Sequence, residues 1–313
     1  MKTRLSRKAF LKGAAALGAL ATLGPLVRVA SGLVPDIATR KIPKSGEALP
    51  VIGLGTAYEF GESGGIEDFN IRKDIIRTLI ENGGTLIDTA PHFSYGVAEG
   101  IIGKALDDLR ARPRVFLATK ISTYGAEAGV KSVQTSLRDL RTTTLDLVQV
   151  HNLKDTATHL KTLRRLKEKG TIRYFGVTHY LDSGLPGLVE ALKAETPDFV
   201  QCHYSALERE AERRVLPLAA DKGAAVIANR PFARGEVFRR TRGRGIPAWA
   251  MEELGIRSWG QFFLKFTLSH PAVTVAIPGT EKPIHMLDNA GALQGGLPDA
   301  AQRQKMISWL QTL

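Results

Sequence analysis

An acid, a phenol, a lysine and a histidine lie at or just beyond the ends of apolar runs, and together they suit carbonyl reduction: Asp88, Tyr95, Lys120 and His151. A hydride delivered to a carbonyl carbon leaves negative charge on the oxygen, which a proton donor must neutralise. A phenol with a pKa near ~10 is a reluctant acid, but a neighbouring ammonium lowers that pKa, and a carboxylate keeps a buried ammonium charged. Tyr95, Lys120 and Asp88 meet these needs, and a neutral His151 would orient the carbonyl oxygen. A purely structural Asp88–Lys120 ion pair is the alternative.

The other histidines admit several interpretations. His151, His179 and His203 fall on consecutive predicted strands, but the chain has no His-x-His motif and no carboxylate at ligand spacing, so we predict no metal. His203 is either a wall of the substrate pocket or a hydrogen-bonded core histidine. His159 and His270 are predicted on helix surfaces.

These residues belong to a repeating pattern of strands and helices. Apolar strand-like runs alternate with amphipathic segments, which is typical of a parallel sheet covered by helices. Eight such units predict a single α/β domain folded as a (β/α)8 TIM barrel, with the chemistry at the carboxyl ends of its strands. An open doubly wound sheet is the alternative, but no G-x-G-x-x-G opens a helix. The predicted strands are 51–56, 85–90, 115–120, 145–152, 172–179, 199–205, 224–232 and 273–280.

Three further segments complete the predicted fold. Residues 40–50 are predicted to form an N-terminal hairpin that plugs the barrel floor, and residues 299–313 a closing C-terminal helix. The longest and most basic loop follows the seventh strand, over residues 233–258. Arg230 and the arginines of this loop would contact an anionic substrate or a cofactor pyrophosphate, or remain solvated.

Several motifs, in this order and spacing, resemble the aldo/keto reductase family. They are "LPVIGLGT", "IDTA…YGVAEGIIGKAL", "ATK", "LDLVQVHN", "GTIRYFGVTH" and "HPAVTVAIPGTEKPIHMLDN", and they extend over nearly the whole chain after the leader. The resemblance implies a (β/α)8 barrel that binds NAD(P)H without a Rossmann domain. It also implies a catalytic tetrad on Asp88, Tyr95, Lys120 and His151.

The sequence departs from the family at the proton donor. The family commonly places its tyrosine five residues after the aspartate, where this chain has Phe93. We assign the role to Tyr95 and infer a two-residue insertion, because Gly96 and Glu99 follow it as the family pattern expects.

The resemblance also places a nicotinamide site. The contacts of the family to the carboxamide fall on Thr178, His179 and Gln201. Asn229 stands where a tyrosine that stacks on the nicotinamide is common.

The phosphate and adenine contacts of the family fall on the segment that follows the last strand. Gly279 and Thr280 would offer backbone and hydroxyl donors, and Asn289 matches the adenine contact. Gly279 and His285 replace the lysine and arginine of strongly NADPH-specific members, so Lys282 or His285 would receive the 2′-phosphate. NADP is favoured as the cofactor, with NAD possible.

The first 32 residues have the three regions of an export signal: a basic start, an apolar stretch and small residues. The stretch "SRKAFLK" (6–12) resembles a twin-arginine motif with lysine for the second arginine. We therefore predict a signal over 1–32, a barrel domain over 33–313 and a periplasmic location. An ordinary Sec signal, an uncleaved anchor and a cytoplasmic arm are the alternatives.

Composition narrows the possible partners. The leader accounts for six of the 43 basic residues, which leaves a mildly basic domain and argues against nucleic-acid binding. Cys202 is the only cysteine, so no intramolecular disulfide forms. We expect a monomeric NAD(P)-dependent oxidoreductase that acts on a small carbonyl compound or alcohol, with no membrane contact in its mature form. The alternative is a non-catalytic barrel that binds the nicotinamide nucleotide or acts as a regulatory subunit.

Overall fold

The computed structural model describes residues 37–57, Phe60 and residues 65–312, except the side chains of residues 65, 66, 94 and 95. The predicted export signal over 1–32 lies outside the described residues.

Eight parallel strands form the barrel, and each pairs with the next along the chain. Bridges from Ile52 to Ala276 and from Gly55 to Gly279 join the first barrel strand to the last. The prediction of a (β/α)8 barrel is therefore confirmed. The barrel strands are β3 (Leu54–Gly55), β4 (Leu86–Asp88), β5 (Phe116–Ile121), β6 (Leu145–His151), β7 (Ile172–His179), β8 (Phe199–His203), β9 (Ala225–Asn229) and β10 (Val273–Ile277).

Helices follow the strands and cover the outside of the barrel. They are α1 (Gly65–Glu81), α2 (Ala98–Asp108), α3 (Ala126–Asp139), α4 (Thr156–Glu168), α5 (Leu185–Ala194), α6 (Val215–Asp221), α7 (Glu236–Arg240), α8 (Ala248–Leu254), α9 (Trp259–Ser269), α10 (Pro283–Ala290) and α11 (Ala300–Leu310). The predicted closing helix is α11, which begins at an Asp299–Gln302 capping box. In the part of the chain that the structure describes, no helix is long and apolar enough to cross a membrane.

The N-terminal hairpin packs into the lower part of the barrel, as predicted. Strands β1 (Thr39–Lys41) and β2 (Ala48–Pro50) are antiparallel. Ile42 and Leu49 of this hairpin are buried with Phe116, Tyr174 and Phe199 from barrel strands in one apolar cluster. Among the described residues, the hairpin therefore fills the end of the barrel opposite the predicted site, which lies at the carboxyl ends of the strands.

The long basic segment after β9 is more ordered than a loop. It contains the short helices α7 and α8, because Val237 and Leu254 are buried against Phe262 and Phe263 of α9. The sequence analysis treated this segment as a loop because it missed the apolar residues within it that pack on α9.

The prediction of His159 as a surface residue is wrong. Its side chain is fully buried, and its Nε2 donates to the carbonyl of Thr123 at 2.9 Å. Gly129 of α3 makes room for the ring, because a Cβ there would lie 2.8 Å from it. His159 is thus a structural residue that joins α4 to the loop after β5.

Candidate functional site

Three members of the predicted tetrad meet at the carboxyl ends of neighbouring strands. Asp88 ends β4, Lys120 lies near the end of β5 and His151 ends β6. The Lys120 Nζ donates to Asp88 Oδ2 at 2.6 Å and to the carbonyl of Thr89 at 2.8 Å. Both charged side chains are less than 5% exposed, at 2% and 4%. Burial lowers the pKa of Lys120, and the Asp88 carboxylate opposes that shift.

The Asp88 carboxylate also has two amide donors. Gln149 Nε2 lies 3.2 Å from Asp88 Oδ1, and Gln201 Nε2 lies 2.9 Å from the same oxygen. Sequence reasoning missed Gln149. Its spacing could have identified it, because a polar residue two positions before His151 on a buried strand lies on the same face of that strand as His151. With Lys120 these amides hold the carboxylate at a fixed position inside the barrel.

His151 is neutral at physiological pH. Burial, followed by the positive charge of Lys120, lowers the pKa of His151 to about 2. The ring of His92 stacks on His151 at a centroid distance of 4.6 Å, and Phe93 meets it edge-on at 6.0 Å. A neutral imidazole carries one N–H donor, so His151 can donate to a carbonyl oxygen without itself carrying charge.

The predicted proton donor lies in a short turn between β4 and α2. Residues Phe93–Gly96 form one turn of 3-10 helix, and the Tyr95 side chain lies outside the described residues. Phe93, at the five-residue spacing, places its ring centroid 4.7 Å from Lys120 Nζ. The structure therefore brings Phe93 to the lysine and leaves the role of Tyr95 a prediction.

A buried carboxylate anchors the helix that follows this turn. Glu99, in the first turn of α2, is 2% exposed and accepts from Thr119 of β5 at 2.5 Å and from Ser136 of α3 at 3.2 Å. Burial raises the pKa of Glu99, while the two hydroxyl donors oppose the shift. The end of the 93–96 turn is thereby fixed to the strand that carries Lys120.

The residues predicted to contact the nicotinamide lie at the ends of β7, β8 and β9. Thr178 donates to Gln201 Oε1 at 2.9 Å, and Asn229 Nδ2 lies 3.4 Å from the same oxygen. Since Gln201 also donates to Asp88, this group of amides is continuous with the Asp88–Lys120 pair. Thr178, Gln201 and Asn229 therefore lie together, and their contact with a nicotinamide stays a prediction.

His179 stands slightly apart from this amide group and has a defined tautomer. Its Nδ1 accepts from the Leu181 backbone N–H at 3.1 Å, so Nε2 carries the hydrogen of the neutral ring. Burial lowers its pKa. The ring lies so close to Gly184 that a Cβ there would be 2.0 Å from His179 Cγ.

Arg230 is held against the loop that follows β7. Its Nη1 donates to the Tyr180 carbonyl at 2.8 Å, and its guanidinium lies 4.2 Å from the centre of the Tyr180 ring. Its φ of 53° is in the left-handed region, where a non-glycine residue is strained. Such strain is common where backbone is shaped around a ligand.

The predicted phosphate and adenine residues line one cavity of about 430 Å³. The N-terminus of α10 adjoins it, and the unpaired backbone N–H groups of a helix N-terminus favour anions. Sequence reasoning missed its aromatic wall, Phe232 and Phe238, which comes from a distant segment, and the acidic residues Glu281 and Asp288 within the predicted segment itself. The lining residues are Phe232, Phe238, Gly260, Gly279, Thr280, Glu281, Lys282, His285, Asp288 and Asn289.

A second depression of about 500 Å³ lies along α3 alone. The surface of a single helix cannot enclose a ligand, and the depression lies apart from the strand ends. We therefore place the candidate site at the barrel mouth and the 430 Å³ cavity.

Several unpaired polar atoms lie at or near the carboxyl ends of the barrel strands. Among the described residues, buried side-chain atoms without a hydrogen-bond partner include Thr89 Oγ1, Gln149 Oε1, His151 Nδ1, His203 Nδ1 and Asn229 Oδ1. Nearly all buried polar groups in proteins are paired, so such a cluster indicates a polar ligand or ordered water. The mouth thus fits a nicotinamide group, whose amide and ribose hydroxyls would supply the missing partners.

The aldo/keto reductase family profile matches residues 51–304. The chain is 32% identical over 201 residues to aldo-keto reductase YhdN of Bacillus subtilis (strain 168), and it spans 59% of that relative's length. It is 30% identical over 260 residues to methylglyoxal reductase YeaE of Escherichia coli (strain K12), a match that covers 81% of this chain and 88% of the relative.

Solved structures show the same likeness. An aldo-keto reductase from Klebsiella pneumoniae in complex with NADPH has a TM-score of 0.72 at 25% identity, and covers 87% of this chain and 95% of its own. An aldo/keto reductase from the same organism, in complex with NADP and acetate, has a TM-score of 0.71 at 26% identity, with 84% and 92% covered.

Proposed function

The chain belongs to the aldo/keto reductase family, and we propose on that premise that it reduces a small aldehyde, ketone or sugar with NADPH, NADH being the weaker alternative. The main support is the buried Asp88–Lys120 pair beside a neutral His151, in a barrel mouth that contains unpaired polar atoms. The Klebsiella relatives in complex with NADPH and NADP support the choice of cofactor.

The residues that would hold the cofactor form two groups. Thr178, His179, Gln201 and Asn229 would contact the nicotinamide end, and Arg230 the pyrophosphate. At the other end, the 430 Å³ cavity would hold the adenosine and its 2′-phosphate, with Gly279, Thr280, Lys282, His285 and Asn289 in its wall. Lys282 and His285 are the cavity's candidate partners for the 2′-phosphate, which favours NADPH over NADH. When bound, the cofactor supplies the hydride that the carbonyl carbon gains.

The protein's own residues would supply the proton and orient the substrate. The His151 imidazole donates a hydrogen bond to the carbonyl oxygen, and the Tyr95 hydroxyl transfers its proton to that oxygen as the alcohol forms. Lys120 stabilises the phenolate that remains, and Asp88 keeps Lys120 charged. The products are an alcohol and the oxidised cofactor, and solvent returns the proton to Tyr95.

Tyr95→Phe is the test of this assignment. Removing a general acid typically costs ~100-fold or more in turnover, so we expect kcat of Tyr95→Phe to fall by at least that factor. Tyr124→Phe is the matched control, since Tyr124 is 73% exposed in the loop after β5 and has no role in the scheme. Unchanged turnover of the Tyr95 variant would remove it from the mechanism.

One observation favours a second candidate, a barrel that binds the nucleotide without catalysis. Among the described side chains, the ring beside Lys120 is that of Phe93, which has no hydroxyl to donate. In that case the wild-type chain would bind NADPH but would not oxidise it with any carbonyl compound. Oxidation of NADPH by the wild type with an aldehyde excludes this candidate.

We further propose that residues 1–32 export the folded chain to the periplasm by a twin-arginine route, and that the mature protein is a monomer. A protein that folds around a cofactor before export would not depend on disulfides, which agrees with the single cysteine. Fractionation of cells that lack the twin-arginine translocase tests the route, since the full chain should then remain cytoplasmic. Sedimentation of the mature protein tests the oligomeric state.

A further inference from the structure

The proposed mechanism leaves one buried histidine of the barrel mouth unused. His203, the last residue of β8, places its Nε2 2.8 Å from Asp182 Oδ1, in the turn that follows β7. The His203 side chain is 3% exposed, whereas that of Asp182 is 67% exposed. The pair therefore joins a ring inside the barrel to a carboxylate at its rim.

The aspartate decides which nitrogen of His203 carries the hydrogen. A carboxylate accepts hydrogen bonds, so Nε2 is the N–H nitrogen and Nδ1 of the neutral ring presents a lone pair. Nδ1 is buried and has no partner among the described residues. A buried acceptor without a donor is costly, so this atom should have a partner when the site is filled.

The position of His203 on its strand directs it toward the ligand site. Gln201 and His203 are two residues apart on β8 and so lie on one face of that strand. Gln201 reaches Asp88 inside the barrel, so this face is the interior one, and His203 lies nearer the mouth. Its Cα pairs with that of Asn229, a residue of the proposed nicotinamide site whose Oδ1 is also unpaired.

We propose that His203 is a ligand-binding residue whose Nδ1 accepts a hydrogen bond from a hydroxyl group in the barrel mouth, with Asp182 holding the ring in the required tautomer. The inference rests on the proposed function. A hydroxyl can come from two sources there: the nicotinamide ribose of the cofactor, or a carbonyl substrate that carries hydroxyl groups. The chemistry is the same, and the two sources are separated by experiment.

The experiment compares the full-length wild type with His203→Leu in two measurements. Nicotinamide fluorescence gives the Kd for NADPH, and steady-state kinetics gives kcat/KM for glyceraldehyde and for propionaldehyde, which has the same carbon chain without hydroxyls. If the ribose is the source, we expect Kd to rise about tenfold, or ~1.4 kcal/mol. If the substrate is the source, kcat/KM should fall about tenfold for glyceraldehyde and stay within about twofold for propionaldehyde.

Asp182→Ala distinguishes the role of His203 Nδ1 as an acceptor from the structural role of the His203–Asp182 hydrogen bond. This variant breaks the same contact but keeps the imidazole, so its effect should be clearly smaller than that of His203→Leu. Asp155→Ala is the matched control, because Asp155 is an acidic residue of the same barrel face that also binds a loop, through the Gly125 N–H at 2.7 Å. It should leave both measurements unchanged.

Several outcomes would overturn the inference. The first is an unchanged Kd for NADPH together with an equal fall in kcat/KM for both aldehydes. The second is no change in Kd or in kcat/KM. The third is an effect of Asp182→Ala as large as that of His203→Leu. If His203→Leu does not fold, His203→Phe, with a flat ring that lacks nitrogen, takes its place. A wild type that neither binds NADPH nor reduces an aldehyde overturns the proposed function as well, and so is distinguished from failure of the His203 assignment alone.

Discussion

Replacing Asp88 with asparagine should destabilise the barrel because it leaves the Lys120 ammonium buried without a counter-ion. In the wild type the carboxylate accepts from Lys120, Gln149 and Gln201. Asparagine has one acceptor oxygen and an amide that donates, so it cannot serve three donors. Removing one partner of a buried ion pair costs ~3–5 kcal/mol, and we expect Asp88→Asn to lie in that range.

Lys120→Met should cost less than Asp88→Asn, about 3 kcal/mol. The carboxylate then keeps its two amide donors, whereas the ammonium in Asp88→Asn keeps, among the described side chains and backbone, the Thr89 carbonyl and the Phe93 ring. The double variant has neither charge to compensate. The decrease in its free energy of unfolding should therefore be about 3 kcal/mol smaller than the sum of the decreases in the two single variants.

Urea unfolding of the four proteins at pH 7 measures this coupling. A pH series adds a check, because without Asp88 the pKa of Lys120 should fall further. The folded Asp88→Asn protein then binds fewer protons than its unfolded chain, so its deficit should shrink as pH rises toward the ~10.4 of an unfolded lysine. If the decrease in unfolding free energy of the double variant equals the sum of the two single decreases within ~0.5 kcal/mol, Asp88 and Lys120 are not a coupled buried pair.

Three further variants test other parts of the structure. The pKa of His151 is lowered to about 2 in the folded protein, so His151 takes up a proton more readily in the unfolded chain. This difference should lower the free energy of unfolding by about 2 kcal/mol between pH 7 and pH 5. His151→Gln should lose that part of the pH dependence in urea unfolding. Gly184→Ala would place a Cβ 2.0 Å from His179 Cγ and displace that ring. We therefore expect NADPH to bind about tenfold more weakly, as measured by fluorescence titration. Unchanged binding would show that His179 does not belong to the site. Gly100→Ala, in α2 with no atom within 4 Å of the added Cβ, should raise stability by up to ~1 kcal/mol in thermal unfolding, and a loss would contradict the open environment.

The parts of the site that could be predicted lie at strand ends. Asp88, Lys120 and His151 were found because an eight-fold strand pattern brings the carboxyl ends of its strands to one face, whatever the details of packing. Gln149 was missed because it stands inside an apolar run, although its spacing from His151 placed it on the same face.

Contacts that depend on loop conformation and on the volume of neighbouring residues could not be predicted. The approach of Phe93 to Lys120 follows from one turn of 3-10 helix, which the sequence spacing alone does not define. His159 was misplaced because the space for its ring is created by Gly129, 30 residues away on another helix.

Titration of the full-length protein with NADPH, and separately with NADH, tests most directly whether the barrel mouth and the adjoining 430 Å³ cavity form a nicotinamide-nucleotide site. We predict saturable binding of both by nicotinamide fluorescence, with NADPH the tighter because Lys282 and His285 line the cavity. Tighter binding of NADH would contradict the assignment of the 2′-phosphate site. Binding of neither nucleotide would contradict the account as a whole.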